Sequence, residues 1–137
     1  MHDNKFHLET DAVSQNESFL RNVVANFCLP LSPTIEQVAD VKTAVSEAVT
    51  NCVVHAYRKQ GGKILLDCEI LDDTMTISIR DFGCGIDDIS MATKPFFTTK
   101  ENEERAGLGF TLISALTDEM TVENMETGVL VVMKKHF

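Results

Sequence analysis

Glu47-Ala48-Val49-Thr50-Asn51-Cys52-Val53-Val54-His55 is the stretch from which the rest of the chain can be read. It sets a carboxylate, an amide and an imidazole at successive four-residue steps. On an α-helix each such step advances roughly 40° around the axis, so the three side chains share one arc of about 80°. The apolar residues of the same segment, Val41, Ala44, Val45, Ala48, Cys52, Val53 and Ala56, form a stripe centred to one side of that arc. The polar trio therefore borders the core. A carboxylate and an amide pack poorly there, but they suit a hard cation and an oxygen nucleophile, because hard metals prefer oxygen ligands and a carboxylate can take a proton.

Working outward, Phe6 to Thr10 alternates apolar and polar residues as a strand does, and Ser14-Gln15-Asn16-Glu17 has the form of a capping box opening a helix to about Leu29. Pro30 ends that helix. Ser32-Pro33 offers an N-cap and a first-turn proline for the long helix carrying the trio, which stops before Gly61-Gly62. Lys63 to Leu71 and Met75 to Arg80 read as a hairpin turning at Asp72-Asp73. The pattern is lost from Asp81 to Gly109, and so long a loop in a compact domain is usually functional. Gly107-Leu108-Gly109-Phe110 leads into a helix to about Leu116, and strands at Glu119 to Asn124 and Gly128 to Lys135 complete an α/β sandwich.

With 137 residues, 44% of them hydrophobic, the chain is expected to be one domain, residues 1–137, around one core. The net charge of -9 argues against direct binding of a nucleic-acid backbone and leaves protein partners as the more natural choice. No apolar run approaches the roughly 20 residues that span a bilayer, and Met1 to Thr10 lacks the order of a signal peptide, so no membrane association and a cytoplasmic location are expected. Cys28, Cys52 and Cys68 lie among apolar residues and read as reduced core residues, whereas Cys84 stands between glycines; none has the spacing of a zinc site.

Two further motifs carry chemistry. Asp81-Phe82-Gly83-Cys84-Gly85 follows a strand directly, and its glycines let backbone approach a ligand closely. A buried Asp81 there would accept a hydrogen bond from an exocyclic amine such as that of adenine. Taken alone, the pattern more often makes only a turn. Thr98-Thr99-Lys100 and Arg105-Ala106-Gly107-Leu108-Gly109 gather hydroxyl and basic groups beside a glycine-rich helix start in an otherwise acidic chain. Unpaired N–H groups and the helix dipole at such a start suit a phosphate, although a solvated surface loop explains this segment alone equally well.

The order E-x-x-x-N, D-x-G-x-G, lid, G-x-G is more specific than any of its parts. It resembles the GHKL ATPase superfamily with its Bergerat fold, and has neither the P-loop pattern nor a Rossmann arrangement. Leu8-Glu9, Ser14 to Phe19, Val45 to Asn51, Phe97 to Lys100 and Gly107 to Thr111 narrow the likeness to the SpoIIAB-type anti-sigma F factors of spore-forming bacteria. The resemblance implies a two-layer α/β sandwich, a mixed and mostly antiparallel sheet covered on one face by helices, with an ATP lid at about 90–108.

It also implies roles. Glu47 would be the catalytic base or orient the attacking hydroxyl, and Asn51 would hold Mg²⁺ against the triphosphate of ATP. Asp81 would contact the adenine amine, Gly83 and Gly85 would shape its pocket, and Gly107, Leu108 and Gly109 would approach the phosphates. Thr98, Thr99, Lys100 and Arg105 would belong to the lid. The implied activity is that of a serine/threonine protein kinase that binds ATP and ADP. A homodimer of it would sequester a sigma F type RNA polymerase sigma factor and phosphorylate a serine of a STAS-domain anti-anti-sigma partner, with Arg21 at the partner contact. His55 has two readings, a border of the nucleotide pocket or a half-buried structural residue. The chain departs from the family where a Gly-Thr pair commonly closes the adenine pocket: it has Gly128-Val129, with Thr127 on the other side. Either Thr127 substitutes in a shifted register or one hydrogen bond to the base is lost, worth about 1 kcal/mol. The alternatives are an anti-sigma B type stress-response switch kinase and a nucleotide-gated sigma-binding module without kinase activity.

Overall fold

The structure, a computed structural model, describes residues 3–58, 60–86 and 108–137. Five strands form one sheet: β1 (Asn4–Asp11), β2 (Lys63–Leu71), β3 (Thr74–Asp81), β4 (Glu119–Asn124) and β5 (Val129–His136), in the spatial order β1-β2-β3-β5-β4. Every pairing among these strands is antiparallel, so the parallel element of a mixed sheet is not found among the described residues. Helices α1 (Gln15–Phe27), α2 (Ile35–Thr50) and α3 (Leu108–Leu116) pack on one face.

Alternation decides which face they cover. Ile64, Leu66, Cys68 and Ile70 of β2 and Met75, Ile77 and Ile79 of β3 are buried beneath the helices, with Val129, Val131 and Met133 of β5. They meet Leu20 and Val24 of α1, Val41, Ala44, Val45, Ala48 and Val49 of α2, and Phe110 and Ile113 of α3 in one continuous core. The intervening residues, such as His7, Asp67, Thr76 and Ser78, face the open side of the sheet, where His7 Nδ1 lies 2.7 Å from Asp67 Oδ1.

Three helix signals resolve differently from the sequence expectation. Ser14 is helical in φ and ψ and makes no side-chain cap, and Glu17 bonds Arg21 rather than the cap backbone. Ser32 adopts a left-handed conformation at φ 53° that closes a 3₁₀ turn at Leu29–Leu31, which removes it from the start of α2. The cap there is Thr34, whose hydroxyl accepts from Gln37 N while the Gln37 side chain accepts from Thr34 N. Finally, the helix does not run on as α from Asn51: Asn51–Ala56 is a π turn, sealed by Tyr57 N donating to Cys52 O. Each residue of a π turn rotates less than in an α-helix, so His55 does not follow Asn51 with the offset assumed for an α-helix.

Candidate functional site

The π turn and the end of β3 are brought together by backbone. Cys84 N donates to Ala56 O at 3.2 Å, and a β-carbon on Gly83 would lie 2.4 Å from that same carbonyl oxygen, so only glycine fits there. Between them sits Asp81, 5% exposed and the one buried charged residue among those described. Its Oδ1 accepts from Gly83 N at 2.9 Å and Val129 N at 3.3 Å, and the Cys52 thiol of the π turn also donates to the carboxylate. Burial raises the Asp81 pKa above its ordinary value, while those hydrogen bonds and the nearby Arg80 charge oppose the rise. Burial, then the Asp81 charge, push the Cys52 thiol well up, so it stays protonated as a donor.

Gly128 presses on Asp81 from the β4–β5 turn. It has φ +83°, and a β-carbon there would lie 2.1 Å from Asp81 O and 2.7 Å from its Oδ1. At the same turn Val129 supplies its backbone N–H to Asp81 Oδ1, and Thr127 is exposed. Gly85 has φ +76° and stands against Asn124, whose side chain clamps the next residue at two points, Ile86 N to Oδ1 at 3.0 Å and Nδ2 to Ile86 O at 2.7 Å.

The other half of the site lies between α2 and α3. Asn51 closes α2, and its carboxamide sits beside buried Gly109, where a β-carbon would come 3.1 Å from Nδ2 and 3.2 Å from Oδ1. Asn51 Nδ2 is buried without a hydrogen-bond partner, which costs folding free energy unless a ligand group completes it. Glu47 is half-buried one turn earlier. A buried acid, glycines that admit close approach and a carboxamide nitrogen left without a partner fit a nucleotide with its bound cation. Among the described residues no group of three or more His, Cys, Asp and Glu side chains could hold a metal ion.

Thus the described site residues fall in two groups: Asp81, Gly83 and Gly85 beside the π turn and the β4–β5 hairpin, and Asn51 beside Gly109 between α2 and α3, with Glu47 one helical turn before Asn51. Thr98, Thr99, Lys100, Arg105 and Gly107 lie outside the described residues, and Leu108 is described only as the first residue of α3. Arg21 stands apart on α1, its Nη1 bonding both Glu17 carboxylate oxygens at 2.6 and 2.8 Å. His55 is half-buried in the π turn, and its carbonyl oxygen accepts from Cys84 Sγ at 3.5 Å. Sequence reasoning gave no site role to Cys52, Tyr57 or Asn124, and placed Gly128 at the adenine pocket only through the Gly128-Val129 departure from the family pattern. Of the three without a role, Tyr57 left a signal: it is the single tyrosine of the chain, a few residues before Gly61-Gly62.

Comparison with known proteins bears on the family and the fold. The family described as the histidine kinase-like ATPase domain matches residues 9–135. A protein named anti-sigma F factor from Caldanaerobacter subterraneus subsp. tengcongensis is 50% identical over 98% of this chain and 95% of its own length. Another of that name from Clostridium botulinum (strain Eklund 17B / Type B) is 47% identical over 100% of this chain and 97% of its own. Among solved structures, the RsbU and RsbW domains of a Mycobacterium tuberculosis protein superpose with a TM-score of 0.71 at 18% identity, over 97% of this chain and 32% of that one. The catalytic domain of histidine kinase ThkA gives 0.60 at 17% identity, over 99% of this chain and 96% of that one. These two likenesses concern the fold. By its family match and its relatives, the chain belongs to the anti-sigma F factors, a family built on the histidine kinase-like ATPase domain.

Proposed function

We propose that this chain is an ATP-dependent serine/threonine protein kinase that also sequesters a sigma factor of the sigma F type. The observation that carries the nucleotide reading is a buried Asp81 carboxylate held by backbone donors, together with the unpartnered carboxamide nitrogen of Asn51. Asp81 recognises the adenine amine through its carboxylate, with Gly83 and Gly85 admitting the base. Val129 N and Gly128 fix the carboxylate from behind, so Thr127 is not needed to orient it.

Asn51 completes its carboxamide on the triphosphate side, with Gly107, Leu108 and Gly109 at the phosphates. Mg²⁺, held by the Asn51 oxygen together with ATP, would supply charge neutralisation on the transferred phosphoryl group. Glu47, one helical turn from Asn51, takes the proton of the attacking serine hydroxyl or orients it. Thr98, Thr99, Lys100 and Arg105, in a lid at about 90–108, add donors and positive charge. The substrate is a serine of a STAS-domain anti-anti-sigma protein, the whole chain acts as one domain, and the working form is a homodimer. Arg21 contacts the partners, with Nη1 of its guanidinium held by Glu17 in the free chain.

The test is Glu47→Gln, which keeps size and hydrogen bonding while removing the base. Transfer of labelled phosphate from Mg-ATP to a STAS-domain partner should fall by about 100-fold or more, with nucleotide affinity unchanged. Full transfer by the variant would remove Glu47 from this role. If the parent protein binds Mg-ATP but labels no STAS partner, the chain is a nucleotide-gated sigma-binding module instead. Capture of a sigma B type factor in preference to sigma F would mark a stress-response switch.

A further inference from the structure

Where β2 and β3 diverge, one hydroxyl stands in the ladder. The register pairs Ile64 with Asp81, so one more step would set Lys63 opposite Phe82. That rung is not closed directly. Instead Phe82 N donates to the Tyr57 phenol oxygen at 2.6 Å, and the same hydroxyl donates to Lys63 O at 2.7 Å. The phenol thus spaces the two strands at the residue following Asp81 and satisfies both backbone groups. Its ring is set by Gly62, where a β-carbon would lie 2.4 Å from the ring carbons.

We infer that Tyr57 is a positioning residue for base recognition: by holding Phe82 N it fixes the Asp81–Gly83 turn, and with it the orientation of the Asp81 carboxylate toward an exocyclic amine. The step from Tyr57 to Asp81 is short. Phe82 lies between Asp81 and Gly83, and Gly83 N is the nearer of the two backbone donors to Asp81 Oδ1. With the phenol absent, Phe82 N and Lys63 O would close a direct rung or turn to water. Either change moves the Phe82 peptide, which carries Gly83 N with it. Burial raises the Tyr57 pKa, so the hydroxyl keeps its proton and its double role at neutral pH. The phenol hydroxyl itself bonds Phe82 and Lys63 and neither Asn51 nor Gly109, so its removal is expected to fall on the base.

This inference rests on Asp81 being the adenine contact, and the experiment separates the two. Affinities of the full chain for Mg-ATP and for the Mg-triphosphate of purine riboside, which lacks the 6-amino group, are measured by calorimetry. The variants are Tyr57→Phe, Gly62→Ala and Asp81→Asn. Tyr57→Phe is expected to weaken ATP about fivefold, the worth of one hydrogen bond, while changing the purine analogue by less than about twofold. Gly62→Ala, which displaces the ring but leaves the phenol present, should give the same selective loss and serves if Tyr57→Phe folds poorly. Equal loss of both nucleotides would mean a merely structural role, and no loss of ATP affinity would mean no role; either result overturns the inference. A selective ATP loss in Asp81→Asn alone removes Tyr57 but keeps the site, whereas unaltered ATP binding in Asp81→Asn removes the base-contact reading and the inference with it.

Discussion

The two halves of the site differ in how complete they are without a ligand. On the base side, Asp81 Oδ1 is bonded to Gly83 and Val129, Asn124 clamps Ile86 at two points, and Gly128 packs against the Asp81 backbone. On the phosphate side, Asn51 Nδ2 is buried beside Gly109 with nothing to bond. The first half is finished by the protein, and its geometry is bound to overall stability. The second half leaves a polar group unsatisfied, so its energy is recovered only when something binds. Substitutions in the first half should therefore register in the unfolding of the free chain, and those in the second chiefly in ligand affinity.

The largest break should come at Gly128. A side chain there meets Asp81 O at 2.1 Å from a backbone at φ +83°, so Gly128→Ala should cost about 3 kcal/mol in urea unfolding and abolish nucleotide binding. Next is Asn51→Ala on the opposite side. It should weaken Mg-ATP by roughly 10- to 100-fold, the range for a hydrogen bond to a charged group, yet leave the melting temperature of the free protein within about 2 °C of the parent. A large loss of stability in this variant would erase the contrast between the halves.

Asn124→Ala removes the two-point clamp on Ile86 near the protein surface, and about 1 kcal/mol of stability should go with it, read in the same urea titration. The smallest effect sharpens the electrostatics of the base side. Because burial raises the folded-state pKa of Asp81 above 3.8, its contribution to stability is fully present below that value and is lost as pH rises through the folded pKa. Asp81→Asn removes this penalty but keeps an oxygen acceptor for Gly83 N and Val129 N. The free variant should melt above the parent at pH 7, with the advantage shrinking as pH falls toward 3.8. An advantage that persists unchanged in acid would mean that the charge is not its origin.

The fold was legible wherever period and punctuation agreed. Alternation in β2 and β3 marks the buried face residue by residue, and the Asp72 turn with φ 54° closes the hairpin where Asp72-Asp73 predicts. Caps were less legible. Ser14 and Ser32 carry the right chemistry, but Glu17 is taken by Arg21 and Ser32 by a left-handed turn, competitions that involve residues the local pattern does not weigh. The π turn at Asn51–Ala56 was hidden because the apolar stripe reads almost alike in α and π geometry over so few residues.

The sequence by itself determined the set of chemical groups and their order: a carboxylate and amide one turn apart on α2, an acid and glycines after β3, and a glycine-rich start to α3. Those are local facts, set by helical and strand periods. The tertiary structure decided which groups are satisfied by the protein and which are left for a ligand, because that depends on partners distant along the chain. Val129 reaches Asp81 across 48 positions, Asn124 reaches Ile86 across 38, and the Tyr57 hydroxyl reaches Phe82 across 25. Burial removes water as an alternative partner, so these contacts fix the carboxylate of Asp81 in place, and their absence leaves Asn51 open.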